Sequence, residues 1–115
     1  MGTLIDTEAA LAEFPELQHL IDLVNAGWVF LPSMIDGVVN ELHGVRMWPG
    51  GWADGVRVRG MADARALRSD FDGGLVWERS GSLAEVVDAL ITLPPPETQG
   101  APRLVKGSAP VPWMR

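Results

Sequence analysis

Residues 47–60 read MWPGGWADGVRVRG, and this stretch decides the fold class. Pro49 suits the first corner of a turn, and the glycines that follow suit a corner with positive φ. The segment from Val56 to Arg59 then alternates strictly between apolar and charged residues, which indicates a strand with one buried face. The stretch therefore predicts a β-hairpin in an antiparallel sheet, covered on one face and solvated on the other.

Further strands flank this hairpin in both directions. Asp36-Gly37 is a hairpin turn signal, and the Asp/Gly-rich residues 70–74 predict another turn. Residues 64–69 are ambiguous between helix and strand, and the second turn favours strand. The pattern predicts five strands, which cover residues 28–31, 38–48 with an interruption near Gly44, 56–59, 64–69 and 75–79.

Helical patterns lie on both sides of the predicted sheet. Capping residues near Asp6 predict a short helix to about Glu13, and apolar spacing predicts a second helix over residues 15–26. Ser82 and Glu85 form a capping box, and Pro94 ends the helix that follows. Its predicted buried face comprises Leu83, Val86, Val87, Leu90 and Ile91. The chain is therefore expected to be an α+β fold, with N-terminal helices, a five-stranded antiparallel meander and one C-terminal helix packed on the sheet.

The chain is predicted to divide into one domain, residues 1–93, and a Pro/Gly-rich tail, residues 94–115. The tail is expected to strap onto the domain or onto a second subunit. In this hypothesis Arg103 to Lys106 pairs with a sheet edge, and Trp113 docks on an apolar surface of the same chain or of a second copy.

Composition excludes several classes of protein. The chain has no cysteine, which excludes disulfides, thiolate metal sites and cysteine catalysis. Its formal net charge of −6 disfavours binding to nucleic acid. No signal peptide and no apolar stretch of about 20 residues is present, so no membrane association and a cytoplasmic location are expected.

The residues that could support catalysis lack evident partners. His19 and His43 are far apart in the sequence, and no cluster with metal-ligand spacing surrounds either of them. The sequence contains no nucleophile elbow and no phosphate-binding loop. We therefore expect no catalytic residues, no metal and no cofactor, although carboxylate-pair chemistry stays open because fifteen acids offer many pairs.

Two longer segments carry a resemblance. The strings GVRMWPGGWADGVRVRG, residues 44–60, and GGLVWERSGSLAEVVDALITLPPP, residues 73–96, resemble small proteins of high-GC, actinobacterial-type bacteria that have no assigned function. The resemblance covers most of the chain from Gly27 onward. It implies a bacterial cytosolic protein and brings no activity and no site residues.

Arginines and tryptophans are the remaining candidates for a binding surface, and they are Arg46, Arg57, Arg59, Trp48, Trp52 and Trp113. Arg65, Arg68 and Arg79 lie on later strands. All these arginines form either a solvated sheet face, cross-paired with Glu41, Glu78 and Asp63, or a patch for a carboxylate, a phosphate or an acidic partner. Trp48 and Trp52 form either a cross-strand pair that stabilises the hairpin or part of a partner-binding surface, with Trp52 nearer the solvent.

These patterns favour a non-catalytic module that binds another protein or a second copy of itself. The alternative is a small-molecule-binding protein or enzyme with a pocket between sheet and helices. A pocket lined by Trp28, Trp77 and His43 would favour the alternative, whereas a flat surface with an exposed edge strand would favour the protein-binding module.

Overall fold

A computed structural model describes residues 17–108, with the side chains of residues 32–35, 38 and 39 excepted. The elements follow one another as α1 (Leu17–Asn25), β1 (Val29–Ile35), β2 (Val38–Met47), β3 (Ala53–Gly60), β4 (Asp63–Ser69), β5 (Gly74–Gly81), α2 (Leu83–Thr92) and β6 (Gly107–Ser108). The described chain is thus an α+β fold with two helices and an antiparallel sheet.

The sheet is a meander of six strands in the order β1 to β6. The predicted number of five is wrong, because the tail contributes β6. Residues 64–69 form a strand as expected. The predicted helix over residues 15–26 is present as α1, and the shorter helix expected before it lies outside the described residues.

The three hairpin turns for which the sequence carries a signal form where it indicates them. Asp36 and Gly37 both have positive φ, as a type I′ turn requires. A short 3₁₀ turn, Pro49–Gly51, joins β2 to β3, with Gly50 at φ 84°. The Asp70 carboxylate accepts hydrogen bonds from the backbone N–H groups of Asp72 and Gly74, which closes the turn between β4 and β5. The turn residues therefore set the register of the meander.

The core lies between the helices and one face of the sheet. Val56, Val58, Ala64 and Ala66 turn their side chains to this helix-covered face, where they are at most 5% exposed. On α2 the capping box at Ser82 forms, and Leu83, Val86, Val87 and Leu90 are buried against the sheet.

Ile91 does not belong to this buried face. Its side chain is 55% exposed, so the predicted stripe is too wide by one residue. The reason is positional: Ile91 lies near the end of α2, beside an open cleft rather than over a strand.

Gly44 does not interrupt β2; its missing side chain leaves room for side chains of the two neighbouring strands, β1 and β3. A methyl group at this position would lie 2.6 Å from the ring of Phe30 and 2.9 Å from Val56. The absent side chain lets the Phe30 ring lie directly on the sheet backbone, which is a common reason for a strand glycine.

The tail reaches the free edge of β5 later than expected. Gly107 and Ser108 pair with Leu75 and Gly74, and the Lys106 N–H donates to the Leu75 carbonyl. The strand predicted at Arg103 to Lys106 is therefore shifted, because Val105 first packs over Gly74, where no side chain blocks it. The expected docking of Trp113 lies outside the described residues.

Candidate functional site

The sheet separates the predicted site residues into two groups. Residues paired across an antiparallel ladder share a face. Arg46 pairs with Asp54 on the helix-covered face, whereas His43 pairs with Arg57 on the opposite, outer face. A single arginine face, as the sequence suggested, is therefore wrong: Arg46 and Arg68 lie on one side of the sheet, and Arg57 and Arg59 lie on the other.

On the outer face, arginines pair with carboxylates of neighbouring strands. Arg59 donates to Glu41 at 3.0 Å, and Arg65 donates to Glu78 at 2.7 Å. The expected cross-pairing with Glu41 and Glu78 is confirmed, whereas Asp63 forms no such ion pair within the described range. This arrangement favours the solvated face over an open anion patch.

Glu41 is the centre of the outer-face network. The His43 ring contacts one carboxylate oxygen at 2.5 Å, and Arg59 donates to the other. The hydrogen bond to His43 and then that to Arg59 hold the pKa of the Glu41 carboxyl below its ordinary value of 4.5. Both oxygens of this half-buried carboxylate are occupied, so the network stabilises the sheet and presents no unpaired acid or base.

The helix-covered face contains a cleft of about 280 Å³. Its walls come from the C-terminal ends of both helices, from the sheet and from the segment after α2; Leu23, Trp28, Leu90 and Leu93 supply apolar surface. Arg46, Trp48 and Asp54 supply the polar part. The cleft is thus mixed in character and lies between sheet and helices, which is a common location of small-molecule sites.

A buried ion pair lies next to this cleft. Arg68 is fully buried, and its Nε and Nη2 donate to the two oxygens of Asp54 at 2.6 and 3.0 Å. Its third donor, Nη1, reaches the Pro94 carbonyl at 2.6 Å. This fork-like pairing fixes the Asp54 carboxylate and also ties the chain after α2 to β4.

The ion pair in turn orients the cleft wall. The Trp48 indole Nε1–H donates to Asp54 at 2.9 Å. The guanidinium of Arg46 then lies over the Trp48 ring, 3.9 Å from its centroid, at the distance of a cation–π contact. A continuous series of contacts thus runs from the protein interior to the cleft, through Arg68, Asp54, Trp48 and Arg46.

Arg46 differs from the other three residues in this series of contacts because its guanidinium donors have no partner among residues 17–108. Apart from the stacking on Trp48, its guanidinium has no hydrogen bond and no carboxylate partner among residues 17–108. Asp54, by contrast, accepts three hydrogen bonds. The charge that the cleft can offer to a ligand is therefore the cation of Arg46.

The tryptophans do not form the expected cross-strand pair. The Trp48 backbone N–H donates to the Trp52 carbonyl at 2.8 Å, yet the two rings have different partners. Trp52 packs edge-on against Phe71 and is only 6% exposed, so its predicted position near the solvent is wrong. Trp48 and Arg46 are the two predicted site residues that the structure brings together in a cleft; Trp113 lies outside the described range.

The sequence analysis missed Asp54, and it placed Arg68 on an arginine face rather than in the core. The signal for Arg68 was present, because it continues the alternation of Ala64 and Ala66 and so had to face the core. Of the predicted pocket residues, Trp28 lines the cleft, whereas His43 is on the outer face and Trp77 packs on the core.

Among residues 17–108, no group of three or more acidic or histidine side chains is arranged to hold a metal ion. No helix in the same range has the length and apolar character needed to span a membrane. Comparison of the chain with family models, with curated proteins and with solved structures finds no match to any of them.

Proposed function

We propose that this protein binds a small molecule in the cleft between the sheet and the C-terminal ends of α1 and α2. The observation that carries the proposal is the guanidinium of Arg46, which lies over the Trp48 ring in a cleft of mixed polar and apolar lining and has no carboxylate partner in the described chain. The function proposed is binding, because Asp54, the one acid among the described residues that line the cleft, is already occupied by Arg68 and Trp48.

The supporting contacts lie behind the cleft wall and are buried. A binding site needs side chains whose orientation is set before the ligand arrives. Here the Arg68–Asp54 pair is 0% and 4% exposed, and it positions the Trp48 ring on which Arg46 stacks. The cleft volume of about 280 Å³ suits a ligand with one ring or a short branched chain.

A cleft-blocking variant tests the proposal. Small neutral, anionic and cationic ring compounds are added to the full chain labelled with ¹⁵N, and two-dimensional NMR follows the Trp48 indole N–H. We expect at least one class to shift this resonance and the amide of Leu93, and Ala26→Trp to abolish the response. Ala84→Trp, on the exposed side of α2, should leave it intact. Equal responses in both variants, or none in the unmodified chain, would reject the proposal.

A second candidate function is self-association through the outer face of β1 and β2. Val29, Leu31 and Met47 lie together on this face and are 65%, 66% and 66% exposed. Strand β1 is the edge of the described sheet opposite β6, but Pro32 interrupts its backbone donors, so pairing along the edge is hindered. Face-to-face packing with a second copy would cover all three side chains with one symmetric contact.

Sedimentation velocity distinguishes this candidate. The unmodified chain should sediment as a dimer that Leu31→Glu converts to a monomer. Leu104→Glu, at a residue that is 83% exposed on the tail, should keep the dimer. A monomeric unmodified chain would exclude self-association through this face.

A further inference from the structure

We infer that the ligand of the cleft is an organic monoanion: an apolar body that carries one carboxylate, held by the guanidinium of Arg46. This inference rests on the proposed function and adds the chemical class of the ligand. It depends on three features of the cleft, namely its one available charge, the two helix ends beside it, and the chemistry of its walls.

Within residues 17–108, the charge that the cleft has available is a single cation. Arg46 presents a planar fork of N–H donors, a geometry that matches the two oxygens of a carboxylate. The carboxylate of Asp54 cannot serve a cationic ligand in the same way, since Arg68 and Trp48 already donate to it. The stacking of Arg46 on Trp48 covers the face of the guanidinium and leaves its donor edge as the part that can meet a ligand.

The two helix ends limit the charge of the ligand to about one. The C-terminal end of each helix borders the cleft, and the C-terminal end of a helix is partially negative. Local hydrogen bonds reduce this effect: the N–H groups of Ala26, Gly27 and Trp28 bond carbonyls of α1, and the Leu93 N–H bonds a carbonyl of α2. One arginine beside two such ends favours a monoanion over a phosphate ester, which carries nearly two negative charges at neutral pH.

The remaining walls favour an apolar body. Leu23, Leu90, Leu93 and Pro95 also line the cleft and offer no polar side chain. A compact ligand without an apolar part would leave this surface wet, whereas one ring or a branched alkyl group would cover it. The ligand class is therefore a small aryl- or alkyl-substituted carboxylic acid.

Four compounds with the same body and different head groups test this inference. They are 3-phenylpropionate, its primary amide, 3-phenylpropylamine and 3-phenylpropyl phosphate, each titrated into the full chain while NMR follows the Trp48 indole N–H. We expect the carboxylate to bind ten- to a hundredfold more tightly than the amide, the range of about one charged hydrogen-bonded contact. The phosphate and the amine should bind more weakly than the carboxylate.

Arg46 variants connect the preference to this side chain. Arg46→Gln should abolish the difference between carboxylate and amide, and Arg46→Lys, which retains the charge without the fork, should retain part of it. Arg57→Gln, on the outer face, is the matched control and should bind like the unmodified chain. Thermal melting of each variant shows that it is folded.

The outcomes separate this inference from the proposed function. If the amide or the amine binds the cleft as tightly as the carboxylate, the inference of a monoanionic ligand is wrong and the small-molecule site stands. The same conclusion holds if Arg46→Gln and Arg46→Lys both leave the preference for carboxylate over amide unchanged. If none of the four compounds moves the Trp48 resonance at millimolar concentration, both are wrong.

Discussion

Arg68 is the largest side chain that is fully buried in the described part of the chain. A buried guanidinium is tolerated only when its donors are occupied, and here each of its three nitrogen atoms donates a hydrogen bond to Asp54 or to the Pro94 carbonyl. The pair adds little net stability compared with apolar residues of the same size, but the loss of one partner leaves a buried charge without compensation. Its contribution is therefore the orientation of Trp48 and of the chain after α2.

Replacement of Arg68 by methionine should lower the free energy of unfolding by about 3–5 kcal/mol, because the buried side chain of Asp54 loses its ion-pair partner. Arg65→Met, three positions earlier on the same strand, removes a partly exposed pair with Glu78 and should cost at most about 1 kcal/mol. Urea unfolding of both variants measures the difference. Similar losses of unfolding free energy in the two variants would show that the Arg68–Asp54 pair is not a buried ion pair in solution.

Glu41 provides a pH dependence of known sign. Because its pKa in the folded chain lies below 4.5, its contribution to stability is complete above that value and is lost as the pH falls through the lowered pKa. Glu41→Gln should therefore lose less stability than the unmodified chain between neutral pH and about pH 3. The Glu85 carboxyl, whose pKa the Ser82 backbone N–H lowers, acts with the same sign and remains in both proteins. Urea unfolding at the two pH values measures the effect, and identical acid sensitivity would contradict it.

Among the elements, α2 is part of both the hydrophobic core and the cleft wall, and its sequence does not distinguish the residues of the two. Its buried residues cover β4 and β5, while its last turn borders the cleft. Leu90 belongs to both, since it is 8% exposed and also lines the cleft. Ile91 belongs only to the cleft wall, which explains why an apolar residue is left exposed at the end of an otherwise regular stripe.

Alanine substitutions distinguish the core residues of α2 from those that only line the cleft. Leu90→Ala should lower the free energy of unfolding by about 2–5 kcal/mol, as expected for a buried leucine. Ile91→Ala should change it by no more than about 0.5 kcal/mol, since the side chain is mostly in water already. Thermal and urea unfolding measure both. A large effect of Ile91→Ala would mean that this residue is covered in solution.

In the whole molecule, the segment after α2 connects parts that are distant in the sequence. It leaves the helix at Pro94, where Arg68 binds its carbonyl, and passes the Trp52–Phe71 pair before it adds β6 to the edge of the sheet. Ala101 is buried along this path. The segment thus covers the β5 edge, which reduces the risk of pairing with other chains.

Truncation after Gly100 should therefore lower the melting temperature. It removes β6, the Lys106–Leu75 hydrogen bond and the buried Ala101, and each kcal/mol lost corresponds to about 4–8 °C in a domain of this size. Truncation after Ser108 is the control, since it keeps β6. If both shortened chains melt at the same temperature, residues 101–108 do not stabilise the sheet.

The sequence by itself determined the local structure of this protein. Turn residues such as Asp36-Gly37, the alternation of Val56 and Val58 with arginines, and the capping box at Ser82 each act within a few residues, so their outcome depends little on the rest of the fold. The hairpins and both described helices follow from these signals. The position of the strand in the tail does not follow from local signals, because β6 depends on the free edge of β5 as much as on residues 107 and 108.

Only the tertiary structure decided which polar residues form the site. Arg46, Arg57 and Arg59 look alike in the sequence, and the strand register places them on opposite faces of the sheet. Arg68 and Asp54 meet because β3 and β4 are neighbours in the sheet. Asp54 then binds the Trp48 indole, and Arg46 lies over the Trp48 ring. The physical reason is that burial and charge pairing depend on distances between strands and helices, which no local pattern of residues contains.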